Sequence, residues 1–256
     1  MCFSVMRAEN YYKMNRIIRI FAVVALLSAG SLTSNSQCLW TDFNLNSKIA
    51  GNFSGTFRAD YRTTNGLKAT DQWRLTFGVN YKILPWLKAG ASYTFIDKHF
   101  DGKRQSNGDW VPAYWQPRNR VNVDLTGSWC VAHFTIALRE RYEYTHNEAT
   151  NVDCYTAPDN DFEFRHINAK HTNILRSRLK IDYDIKKSPV DPYIFVEIYN
   201  SLDNDFRKDK IRYTAGANYK INKKNSVSLY YSYFDQQGVP AYKSHIIGAS
   251  YTLTLR

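Results

Sequence analysis

The chain has 256 residues, a formal charge of +11, 15% aromatic residues and a negative mean hydropathy in spite of that aromatic load. Such figures suit one large β domain or two smaller ones and exclude a transmembrane helix beyond the N-terminal leader. The basic groups are spread along the chain and form no run, which argues against nucleic acid as a partner.

Residues 1–37 have the plan of an export signal. Arg16 and Arg19 supply a charged start, and residues 20–27 (IFAVVALL) an apolar core too short to span a bilayer as a helix. Residues 28–36 are small and polar and lead to a cleavage site beside Gln37, which makes 38–256 the mature domain. Met14 is a better signal start than Met1. Cys38 does not read as a lipid anchor, because Asn35, Ser36 and Gln37 lack the small residues of a lipobox. With Cys2 lost in the leader, Cys38, Cys130 and Cys154 are an odd set, which argues against a disulfide framework.

Beyond the leader the hydrophobic period is two from end to end, the signature of strands with one apolar and one polar face. The stretch WRLTFGVNYK shows it plainly: Trp73, Leu75, Phe77, Val79 and Tyr81 alternate with Arg74, Thr76, Gly78, Asn80 and Lys82. In chain order, strands are expected over 42–49, 53–63, 73–82, 87–95, 118–129, 134–144, 175–185, 193–200, 211–221, 227–234 and 244–255. Bacterial single-chain barrels carry even strand numbers. The expectation is therefore ten to twelve strands, with 162–167 (FEFRHI) as the candidate for a hidden one.

The connections alternate in length. Short ones fall at 50–52, 83–86, 130–133, 186–189 and 222–225; long polar ones fill 97–117, 145–172 and 200–210, with smaller examples at 64–71 and 235–242. A meander with tight ends on one side and loose ends on the other is the plan of an outer-membrane barrel, whose periplasmic turns are short and external loops long. A soluble barrel would show the same alternation inside out. Against it stand the strand lengths, near the 9–11 residues of a tilted membrane strand, and the charges recurring in mid-strand opposite large aromatics. The expected fold is thus an all-β, antiparallel up-and-down transmembrane barrel, with the apolar series toward lipid.

Several segments also resemble a known family. They are LWTDFNLNSKIAGNFSGTFRADYRT (39–63), LTFGVNYKI (75–83), LRERYEY (138–144), LRSRLKIDY (175–183), PYIFVEIYN (192–200) and RYTAGANYKI (212–221). Together they resemble the outer-membrane barrels grouped as domain of unknown function 2490. The resemblance implies a Gram-negative outer membrane as location, and membrane lipid, lipopolysaccharide and the barrel-assembly machinery as partners. It implies no particular activity. Two departures stand out: the chain ends in Leu255-Arg256 instead of on an aromatic, and Glu140 falls on the lipid-facing register. A bulge at 139–141, or a place near the external headgroups, would accommodate Glu140.

The polar series supplies the candidate site. It carries Arg58, Asp60, Arg62, Arg74, Lys88, Arg118, Arg120, Asp124, Arg139, Arg141, Glu143, Arg176, Arg178, Lys180, Asp182, Glu197 and Arg212. Rings of Arg and Lys in a lumen select anions, so one reading is a channel for small anionic solutes. The other is a network of arginine–carboxylate pairs that braces the wall and leaves little bore.

No catalytic, cofactor or metal motif accompanies them. The six histidines lie mostly in loops or at strand ends, and no G-x-S-x-G sequence marks a nucleophile. DNDF occurs at 159–162 and 203–206, but no glycine completes a calcium loop. Trp110, Tyr114 and Trp115 suit a girdle or a loop core. A surface-facing enzyme and an adhesive barrel are the alternatives to a channel.

Overall fold

A computed structural model describes residues 37–64, 69–157, 159, 161–236 and 244–255, none of them helical. The export signal expected at 1–37 lies outside the described residues except for Gln37. The strands, in chain order, are β1 (Gln37–Ala50), β2 (Phe53–Thr64), β3 (Ala69–Leu84), β4 (Leu87–Phe100), β5 (Lys103–Arg104), β6 (Trp110–Val111), β7 (Tyr114–Val131) and β8 (Phe134–Asn147). They continue as β9 (Thr150–Tyr155), β10 (Phe162–Ile167), β11 (Lys170–Tyr183), β12 (Val190–Ser201), β13 (Arg207–Lys220), β14 (Asn225–Asp235) and β15 (His245–Leu255).

Eleven of these strands close into one barrel, in the order β1-β15-β14-β13-β12-β11-β8-β7-β4-β3-β2. The odd number has a direct consequence. In an up-and-down meander, strands one and eleven run the same way, so the closing seam is parallel: Gln37 pairs with His245 and the ladder continues to Ser47 with Leu255. All other wall pairs are antiparallel. The same parity puts Gln37 at the long-loop end and Leu255 at the short-turn end. At the first short turn Gly51 takes a positive φ (52°), a conformation open to glycine without steric penalty.

The candidate hidden strand exists but does not enter the wall. β10 pairs with β9, β9 with β6 and β6 with β5, and together they form a four-stranded sheet from the two longest loops. Val111, Val152 and Cys154 are its buried core, with Tyr114 and Ile167 packed against them. Short runs of β-branched and aromatic residues inside polar loops pair with one another because a small apolar core is available to them there. Tyr114 thus belongs to a loop core, whereas Trp110 and Trp115 remain partly exposed.

The wall is inverted relative to a soluble barrel. Phe77 is 55% exposed and Ile194 56%, while Thr94, Glu197 and Ser232 on the other face are at most 1% exposed. An apolar exterior around a polar interior is stable only where the surrounding medium is itself apolar. Aromatic pairs stand at both rims of the apolar zone: Trp86–Trp129 and Phe134–Tyr183 near the turns, and Tyr61–Trp73 near the loops. Near the loops the tyrosine hydroxyls are satisfied locally, Tyr142 donating to Asn173 at 2.6 Å and Tyr93 to Asn119. From Trp73 to Ile83 the strand runs for about 33 Å at ~3.3 Å per residue, or about 25 Å along the barrel axis at a tilt of roughly 40°. That is the height of the apolar band of an outer-membrane barrel.

Glu140 keeps the outward register, and neither expected remedy is present. The β8 ladders to β7 and β11 run without a register shift, and Glu140 sits in the middle of its strand. Instead the Ser177 hydroxyl on the neighbouring strand donates to its carboxyl at 2.6 Å.

The exterior assignment has a measurable consequence. Phe77→Arg puts a charge into the apolar band and should cost roughly 2–4 kcal/mol. Equilibrium urea unfolding of the barrel in lipid vesicles reads this loss, and an unchanged midpoint would show that the two faces are exchanged.

Candidate functional site

Successive inward positions on each strand lie about 7 Å apart, so acids and bases two residues apart, or directly across a ladder, meet. On β1 and β2, Arg58 bonds Asp42 at 2.9 Å and Asp60 at 3.1 Å, and Arg62 reaches Asp60 at 3.5 Å. Asp42 also accepts the Ser250 hydroxyl of β15 at 2.5 Å, and Asn44 donates to the same hydroxyl at 2.8 Å. The parallel seam is therefore cross-linked by side chains from inside.

A second cluster spans β7, β8, β11 and β12. Glu197, 1% exposed, accepts Arg139 at 2.5 Å, Arg176 at 2.9 Å and the Tyr199 hydroxyl at 2.7 Å. Arg176 turns its other terminal nitrogen to Glu143 at 2.7 Å, and Arg120 approaches the same carboxylate at 3.3 Å. Arg176 is the hinge of the cluster, its guanidinium fork shared between two buried acids. Arg141 pairs with Asp124 at 3.4 Å and Lys180 with Asp182 at 2.6 Å.

The remaining expected cations are not paired in this way. Among the described residues Lys88, Arg74, Arg118, Arg178 and Arg212 have no carboxylate within ion-pair distance. Arg212 bonds only Ser232, at 3.0 and 3.2 Å, and lies over the rings of Trp40, Phe195, Tyr230 and Phe234. Arg178 lies over Phe195 and Arg118 over Phe100. The Nε atoms of Arg74, Arg118 and Arg178 are buried with no protein acceptor.

The lumen therefore has two unlike walls. The wall strands β2, β3, β4, β7, β8 and β11 present charges, amides and hydroxyls, whereas β12, β14 and β1 add inward aromatics, Tyr193, Phe195, Tyr199, Tyr230, Phe234 and Trp40, beside the acids Glu197 and Asp42. Gly248 makes room for one of them, since a Cβ there would fall inside the Tyr230 ring. Arg62, Arg176, Arg178 and Arg212 approach these rings, with guanidinium carbons 3.5–5.7 Å from ring centres.

Two cavities occupy the interior. One of about 280 Å³ lies at the loop end, and one of about 300 Å³ in the middle; Arg74 and Arg176 line both. A third, of about 530 Å³ at the turn end, shares Lys88 and Thr126 with the middle one.

Trp40 and Lys210 escape the sequence reading because they lie outside the strands expected there, one before residue 42 and the other in the loop before 211. Register alone points to them: Trp40 is in phase with Asp42, and Lys210 with Arg212. The inward aromatics of β12 and β14 escape for a different reason, since an aromatic in an alternating strand reads as lipid-facing.

Two histidines near the loop end approach acids without bonding them. His99 stands 3.5 Å from Asp101 and His146 3.6 Å from Glu148, too far for hydrogen bonds to a carboxylate. Asp203 of the second DNDF accepts the side chain and backbone N–H of Asn173, both at 2.7 Å, and these bonds hold its carboxyl below the usual range.

The two kinds of cation should respond differently to removal of charge. Glu197→Ala strips Arg139 of its acid in a buried setting and should cost about 3–5 kcal/mol. Arg74→Ala breaks no ion pair and leaves space that water can fill, so its cost should stay within about 1 kcal/mol. Urea midpoints of both variants in vesicles check this, and equal losses would contradict the pairing described.

Solved structures similar to this chain are outer-membrane barrels. The NanC porin has 15% identity and a TM-score of 0.48, over 85% of this chain and 92% of that one. The β domain of the Bordetella autotransporter BrkA has 13% identity and a TM-score of 0.48, over 80% and 83%. The outer-membrane protease OmpT from Escherichia coli has 10% identity and a TM-score of 0.34, over 72% and 80%. No curated protein matches the sequence. A family model described as a protein of unknown function matches residues 37–240, from the first wall strand to the approach to the last, and the chain belongs to that family, DUF2490.

Proposed function

We propose that this protein is a narrow outer-membrane barrel whose cationic lumen takes small anionic solutes. The observation that carries the reading is that Arg74, Arg178 and Arg212 face the interior with no carboxylate within ion-pair distance among the described residues, whereas Arg58, Arg139 and Arg176 are paired. A structural network neutralises its charges; an excess of inward guanidinium groups over carboxylates sets a positive field instead. Arg74 and Arg176, common to the loop-end and middle cavities, stand at the passage between them. The short turns face the periplasm in this reading and the folded loop sheet faces outward, toward lipopolysaccharide. The barrel-assembly machinery is the partner that inserts the chain.

The competing reading, a braced wall without transport, draws support from Arg176 bridging Glu143 and Glu197. Conductance separates the two. In planar bilayers the purified barrel should conduct with a reversal potential toward anions, and neutralising Arg74 and Arg178 together should reduce that preference. A barrel that conducts in no variant is the braced wall.

Location is tested separately. The protein should fractionate with outer membranes and migrate in a heat-modifiable way on gels. On whole cells, thiol labels placed in 101–113 should react while labels at Lys186 and Lys223 stay protected; the reverse pattern would invert the orientation.

A further inference from the structure

The loop-end cavity is unlike the rest of the lumen in its balance of charge. Among the described residues that line it are the cations Arg62, Arg74, Arg176, Lys210 and Arg212, against a single acid, Asp71, which is engaged by Lys98. Arg62 and Arg176 have acids of their own, at 3.5 Å and at 2.7–2.9 Å. Arg74, Lys210 and Arg212 have none. They come from β3 and from two successive inward positions of β13, so they approach one space from different parts of the wall.

Two of the three, Lys210 and Arg212, lie against aromatic neighbours. Lys210 Nζ lies 4.6 Å from the Tyr199 ring centre and 5.2 Å from that of Phe234. Trp40 carries Arg62 at 3.5 Å and Arg212 at 5.2 Å. Such ring contacts position a cation without neutralising it. The buried Nε of Arg74 has no protein acceptor. A planar carboxylate presents its oxygens in one plane; a tetrahedral anion presents them in diverging directions, which suits cations that converge from different parts of the wall.

We propose that this cavity is a binding site for a doubly charged tetrahedral oxyanion, as in a phosphate ester or the free ion. The proposal rests on the reading of the lumen as anion-preferring and adds a discrete site to it, with Arg74, Lys210 and Arg212 as the residues that hold the ligand. A volume of about 280 Å³ leaves room for a small organic group beside the anion.

The test is calorimetric titration of the full barrel in detergent at low ionic strength, with inorganic phosphate, glycerol 3-phosphate and acetate as probes. Saturable binding of the two phosphates is expected, with acetate much weaker. Lys210→Gln and Arg212→Gln should each weaken it by roughly tenfold or more, the loss of one charge-assisted hydrogen bond, whereas Lys223→Gln in a turn should not. Heat-modifiable migration confirms that each variant is folded, and Lys210, held only by ring contacts, is the less disruptive of the two. Tighter binding of glycerol 3-phosphate than of inorganic phosphate identifies an ester as the ligand, and equal binding identifies the free ion. Acetate binding as tight as phosphate, or no effect of Lys210→Gln and Arg212→Gln in folded protein, would overturn the site. Anion-selective conduction without saturable binding would also overturn it and leave the channel standing. Saturable binding by a barrel that does not conduct would keep the site and remove the channel.

Discussion

A wall surrounded by hydrocarbon must satisfy every backbone N–H and C=O within itself, because lipid offers no partner. For a meander of eleven strands this demand admits one closure, a parallel ladder between the first strand and the last. Parallel pairing is slightly weaker per residue than antiparallel pairing, and at the seam the interior adds side-chain bonds to the ladder. Asp42, Asn44 and Ser250 are bonded across it at 2.5–2.8 Å. The same parity puts the two ends of the described wall at opposite rims.

Closure also forces the interior to be polar, and the protein divides that interior instead of filling it uniformly. On one side acids are interleaved with bases, and Arg176 links two buried carboxylates. On the other, inward rings stand beside the cations, with the guanidinium carbons of Arg178 and Arg212 5.1–5.5 Å from ring centres. The first arrangement consumes charge and stiffens the wall; the second fixes a cation in place without neutralising it. Paired and ring-supported cations stand even on one strand, as Arg176 and Arg178 do, and a lumen built this way keeps a positive excess although acids recur beside bases in the sequence.

Much of the fold is legible in the alternation of residues alone. Trp73 to Tyr81 names its own faces, and the succession of short and long connections orders the strands. All eleven wall strands are among those expected, most of them longer than their alternation suggests, because ladders extend past the last strongly alternating residue wherever a neighbour still offers hydrogen bonds. β10 is legible as a strand but not as part of a loop sheet, since its partner β9 and its core residues Val111 and Cys154 come from two different loops. Glu140 is legible as an outward carboxylate; Ser177, 37 positions away, is not legible as its donor.

What the sequence determined by itself is periodic and local: strand phase, the inward set of charges, turn and loop lengths, and an aromatic supply rich enough for two rims. A period of two is imposed by the geometry of a single strand, so one chain suffices to read it. The tertiary structure alone decided which charge meets which. Arg176 and Arg74 are alike in sequence, each an arginine in the polar series of an alternating strand. One lands within bonding distance of Glu143 and Glu197; the other stands across its ladder from Asp60 without coming within ion-pair distance, because partners are assigned by register between strands together with side-chain reach across the lumen. Neither quantity is written in any single strand.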